Sequence, residues 1–231
     1  MKFATIFSLV ALSFIHSAEE QSHGVAFEQW VRDTFFDGYK PESYTQKWDI
    51  PAEANKKHGG IPANPKATKF GMPIDMGDAL RQFDVMESGQ RFLIISGFWD
   101  QESDKKKWVH GVAVEVTPEA YQKLWEPITR ADLEKLDAVV KDKSLPLDEA
   151  RAQAQKIKSR APFAKAIIQV NPKLDNKQRR LQCSIRFGDF FHFLAPTVEA
   201  LRQDKPTIWG VAMPEAFQSP PRRRKKPTTS N

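Results

Sequence analysis

Residues 47 to 81 read KWDIPAEANKKHGGIPANPKATKFGMPIDMGDALR, and the placement of charge inside its apolar runs decides the fold. Asp49 stands in a short run that ends at Pro51, and Lys66 stands in a second run beginning at Ile61. Two short runs separated by the turn-forming Gly59-Gly60 pair predict neighbouring strands, the first carrying Asp49 and the second Lys66. Between them Glu53, Lys56, Lys57 and His58 make a polar loop. No second histidine lies at metal-ligand spacing from His58, which reads as a surface histidine. Beyond Lys66, Asp75 and Asp78 predict helix caps leading into the helical pattern from Ala79.

A carboxylate and a lysine on the same side of neighbouring strands suit metal-dependent phosphodiester cleavage. The carboxylate holds a hard divalent cation, and the lysine orients water and offsets developing negative charge. The plainer reading makes Asp49 a turn cap before Pro51 and Lys66 a solvated lysine. The surroundings favour the first. Phe27 to Val31, Trp48 to Pro51, Ile61 to Lys66 and Pro73 to Ala79, followed by Asn171 to Asp175 and Arg179 to Ile185, resemble the PD-(D/E)XK nucleases. The branch they resemble is that of the type II restriction endonucleases, over residues 24 to 190.

This resemblance implies an α/β fold, a restriction-endonuclease-like mixed central sheet of five or six strands flanked by helices. It implies Mg2+ or Mn2+ as cofactor and double-stranded DNA as substrate, and it allows a homodimer. Asp49 would be the metal ligand, Lys66 the charge-stabilising group, and Glu28 and Asn64 supporting oxygens. The family usually carries Glu or Asp two positions before the lysine, where this chain has Asn64. An amide offers a metal an oxygen without charge, so the site is weaker, completed by Glu28 or Asp78, or inactive. Two rival readings follow: a catalytically degenerate nucleic-acid-binding protein of the same fold, and an exported protein of unrelated function.

Upstream, Phe27, Trp30, Val31, Thr34 and Phe35 recur at helical spacing and leave Glu28 off the stripe, where it also suits a solvated first turn. Downstream, Arg91 to Trp99 is a continuous apolar run that predicts a strand buried on both faces, and Trp108 to Val116 alternates as its neighbour. Thr117-Pro118 and Thr129 with Asp132 are helix starts, opening an acid-rich helical layer over about 118 to 160. Ala166 to Val170 returns to strand pattern. From Arg180, Leu181, Cys183, Ile185 and Phe187 fall on one face, with Arg180, Gln182, Ser184 and Arg186 on the other. With Lys173 and Arg179 nearby, that polar face suits phosphates and base edges, or else protects a sheet edge. Asp189 predicts the cap of an aromatic helix.

The formal charge of +6 belongs to the ends: Lys2 and the run Arg222 to Lys226 account for it, leaving a balanced body. Locally, residues 165 to 186 carry six bases against Asp175 alone. Residues 1 to 18 have the charge and apolar run of a signal peptide, so the mature protein would be secreted or periplasmic, and otherwise cytoplasmic, with no membrane attachment. The domain then spans 24 to 217, and residues 219 to 231 form a basic tail of disordered composition. Cys183 is the only cysteine, which excludes an intramolecular disulfide, and its apolar neighbours predict a buried thiol.

Overall fold

A computed structural model describes residues 22–41, 46–175, 178–215 and 217–218. The leader, the basic tail and Lys177 lie outside the described residues. Helix α1 (Ser22–Phe35) forms from the predicted stripe, with Phe27, Val31 and Phe35 buried. Strand β1 (Ala63–Lys69) pairs in parallel with β3 (Phe92–Glu102), and β3 forms an antiparallel hairpin with β4 (Lys105–Val116). A short β9 (Phe217–Gln218) completes a sheet of order β1-β3-β4-β9. The apolar run of β3 is buried on both faces because each face meets a different cluster. Leu93 and Ile95 pack with α1, whereas Phe92, Ile94 and Phe98 pack into the main core.

The protein is mixed α/β, but the expected single central sheet is divided. After β1 the chain reverses at Phe70 to Pro73, where Gly71 takes φ +82. The next strand, β2 (Ile74–Asp78), then pairs with β6 (Arg179–Ile185) rather than extending the first sheet. Strand β5 (Gln169–Leu174) closes a second, antiparallel sheet of order β2-β6-β5. The expectation of helix caps at both Asp75 and Asp78 is corrected accordingly. Ile74 and Met76 alternate into the core, so Asp75 lies on a strand and accepts from Gly77 N at 2.9 Å, beside the bulge. Asp78 alone caps α2 (Ala79–Glu87), accepting from Arg81 N at 2.9 Å.

The helical layer consists of α3 (Pro118–Trp125), α4 (Arg130–Lys141) and α5 (Leu147–Lys158). Thr117 caps α3, and Thr129 with Asp132 forms a reciprocal capping box on α4. Leu133, Leu136 and Val140 carry α4 into the same core as Leu181, Cys183 and Ile185 of β6. Cys183 is fully buried, as expected, and burial pushes its thiol pKa up. The aromatic segment differs: a single helical turn, Phe187–Asp189, runs into a π-helical turn, Phe190–Leu194. Asp189 sits inside it as the ion-pair partner of Arg186 rather than as its cap. A hairpin of β7 (Thr207–Ile208) and β8 (Val211–Ala212) turns through Trp209 and Gly210, both at positive φ. None of the described helices is long and apolar enough to cross a membrane.

Candidate functional site

Asp49 does not lie on a strand of its own. Pairing stops at one bridge, Ile50 to Ala63, because Pro51 lacks an N–H and a 3-10 turn (Ala52–Ala54) follows at once. The residue is nonetheless held firmly. Its neighbours Trp48 and Ile50 are buried in two different clusters, Trp48 in the main core and Ile50 with α1. Its backbone N–H donates to Asn64 Oδ1 at 3.2 Å. Asp49 therefore sits at the outer edge of β1, with one buried anchor on each side.

Lys66 reaches the same point from β1. Ala63 and Ala67 pack with the α1 cluster, so alternation turns Asn64 and Lys66 to the opposite face. Lys66 Nζ donates to Asp49 Oδ2 at 3.3 Å, with the two side chains 22% and 39% exposed. Glu28 joins them from α1. Its pKa is raised, chiefly by burial and then by the charge of Asp49, while Lys66 and Arg32 pull the other way. Arg32, one helical turn on, stands 3.8 Å from Glu28 and donates to Gln29 Oε1 at 3.1 Å. Two carboxylates thus share a half-buried edge with two cations.

Asn64 is placed less openly. It is buried, and its side-chain oxygen is already engaged by the Asp49 backbone, so its observed work is to position Asp49. Asp78 is occupied as the α2 cap. His58 lies away from this edge, stacked on Trp209 at 3.7 Å, with its pKa lowered by burial and then by Lys57. Among the described residues no three His, Cys, Asp or Glu side chains form a metal-binding group. The carboxylates at this edge are Asp49 and Glu28, and Mg2+ is an ion that keeps several waters and binds through one or two carboxylates.

Two residues at this edge escaped the sequence reading. Arg32 offered only helical spacing from Glu28, which is a common surface pattern. Ser96 on β3 stands in register with Lys66, is fully buried, and its hydroxyl has no hydrogen-bond partner among the described residues. In sequence it is one small residue inside an apolar run, and only the β1–β3 register puts it beside the lysine.

The predicted nucleic-acid residues divide. The Arg179 guanidinium donates to the carbonyls of Asp142 and Leu145 just past the end of α4, the second at 2.9 Å, and so braces the helical layer. Arg186 is paired with Asp189. Lys173 and Arg180 are exposed and Gln182 is half-buried, all on the outer side of the second sheet.

No protein-family model, curated protein or solved structure matches the chain.

Proposed function

We propose that the chain is a metal-dependent endonuclease that hydrolyses phosphodiester bonds in double-stranded DNA, with a restriction-endonuclease-like site at the β1 edge. The observation that carries this reading is the convergence of Asp49 and Lys66 at 3.3 Å, with Glu28 electrostatically coupled to both. Asp49 and Glu28 would hold Mg2+ or Mn2+, which when bound lowers the pKa of water and stabilises charge on a phosphoryl oxygen. Lys66 then has two tasks. Its ammonium orients the attacking water by hydrogen bond, and its charge offsets the negative charge that gathers at phosphorus. Asn64 keeps the Asp49 backbone in place, and Arg32 partly offsets the burial and the Asp49 charge that raise the Glu28 pKa.

The second reading is a binding module that keeps this architecture without cutting, and the engagement of Asn64 Oδ1 by the backbone favours it. One assay divides the two. The full chain should nick supercoiled plasmid with magnesium or manganese, and Asp49→Ala should abolish nicking. No nicking by the wild-type chain at any metal concentration supports the binding module. Asn64→Glu tests the acid missing from the family pattern: a lower half-saturating magnesium concentration marks a weakened site, and level or reduced activity marks Glu28 as sufficient.

A further inference from the structure

The second sheet buries one face and leaves the other open. The open face carries an ordered series of cross-strand pairs on β5 and β6: Gln169 with Ser184, Asn171 with Gln182, and Lys173 with Arg180. Strand β2 pairs with β6 only from Gln182 to Ile185, so at the Lys173–Arg180 end the sheet narrows to a two-stranded ribbon. Like charges directly opposite each other destabilise a strand pair. Both are exposed, and neither has an ion-pair partner among the described residues. Edge protection accounts for Lys173 and Arg180, since both strands are free-edged at that end, but not for Gln182, which has β5 on one side and β2 on the other.

The amides in the middle of the ribbon differ in state. Asn171 is locked: its Nδ2 donates to Ser184 Oγ at 2.8 Å and to the Gln169 carbonyl at 3.2 Å, and its Oδ1 accepts from Lys158 at 3.0 Å. Lys158 adds a third cation, its pKa lowered by burial and then by the nearby charge of Lys173. The side chain of Gln182, directly across from Asn171, has no hydrogen-bond partner among the described residues. Its amide opens onto a shallow concavity of about 280 Å³ lined also by Asp75 and Lys173. The sheet therefore offers paired cations at its tip and, behind them, a half-exposed side-chain amide not engaged by other described residues.

We propose that the outer face of the β5–β6 ribbon is a base-reading surface for duplex DNA, with Lys173 and Arg180 on backbone phosphates and the Gln182 amide on a base edge. Strands lie about 4.8 Å apart, so the two-stranded Lys173–Arg180 tip fits a major groove about 12 Å wide, with Gln182 at the next same-face position, where β2 joins as third strand. A glutamine there pairs in bidentate fashion with adenine. This inference deepens the endonuclease reading and rests on it for the choice of duplex DNA.

The test separates the two. The full chain, with Ca2+ in place of Mg2+, is mixed with a randomised duplex pool, and the bound fraction is sequenced. The wild type should enrich adenine at one position, and Gln182→Ala should lose that preference by on the order of tenfold to a hundredfold. Gln182→Glu should move it towards cytosine, whose amino group a carboxylate accepts. Lys173→Ala with Arg180→Ala should weaken all sequences alike and lower the slope of log affinity against log salt by about two. Thermal melts confirm that each variant folds. The inference is overturned if the wild type enriches nothing, or if preference and salt slope survive these substitutions. Plasmid nicking is scored separately: selective binding without cutting keeps this surface and removes the nuclease, and cutting without selectivity does the reverse.

Discussion

Charge is used in opposite ways at the two polar regions of this molecule. At the β1 edge, half-buried Glu28, Asp49 and Lys66 and buried Arg32 answer one another with opposite charge. On the β5–β6 ribbon, Lys173 faces Arg180 in the open and no ion-pair partner answers either among the described residues. The first arrangement is assembled by folding, and its cost falls on Glu28, whose burial beside Asp49 disfavours the ionised form. A bound divalent cation would relieve that cost, as a phosphate would relieve the ribbon.

The sharpest way to break this contrast is at Lys66. Lys66→Met should reduce nicking by on the order of 10²-fold to 10³-fold, the loss expected when a charge-stabilising donor is removed. It should scarcely change the melting temperature, because a part-exposed ion pair is worth about 1 kcal/mol or less. Cleavage within a few-fold of wild type would return Lys66 to the role of a solvated lysine.

The next effect is on assembly. A Cβ at Gly97 would lie 2.6 Å from Phe27 and 2.8 Å from Trp108, so Gly97→Val should destabilise the protein by roughly 1–3 kcal/mol through overpacking. Because the side chain displaced is on α1, the stabilisation conferred by added Mn2+ should shrink as well. An unchanged melt would mean that α1 is not seated on β3 as described.

Within the predicted basic set, Arg179→Ala should cost about 1–3 kcal/mol by leaving the carbonyls beyond α4 without their charged donor. The salt slope of DNA binding should stay as in the wild type. A fall in slope without loss of stability would move Arg179 from the brace to the binding face.

The smallest effect has a definite sign. A carboxylate whose folded pKa is raised stabilises the fold when protonated, and that contribution is lost as pH rises from the ordinary glutamate range through the raised value. Glu28→Gln should therefore melt slightly higher than wild type at neutral pH, on the order of a degree. The difference should vanish in acid, where wild-type Glu28 is itself neutral. Equal melts at neutral pH would remove the strain assigned to Glu28.

Much of the local structure was legible because it depends on near neighbours in sequence. The α1 stripe, the caps at Asp78, Thr117 and Thr129, and the apolar face of β6 at Leu181, Cys183 and Ile185 follow from spacing alone, whereas β6 ends before the expected Arg186 and Phe187 and its Ser184 is buried. The meeting of Asp49 with Lys66 was legible from two short runs around a glycine turn. The division into two sheets was not, because Gly71 and the bulge at Gly77 read equally well as a loop and a helix start. Nor could spacing show that Arg179 would be consumed by carbonyls beyond α4, or that Ser96 would stand beside Lys66. Those facts belong to long-range register, which a local pattern does not carry.

The proposed metal site is tested most directly by Mn2+ binding to the full chain. Titration followed by electron paramagnetic resonance should show a bound ion in the wild type, with affinity rising as pH passes through the Glu28 titration. That ion should be lost in Asp49→Asn and weakened in Glu28→Gln. A wild-type chain that leaves Mn2+ free in solution, or an Asp49→Asn chain that binds it equally well, would contradict the assignment of the β1 edge as a cation site.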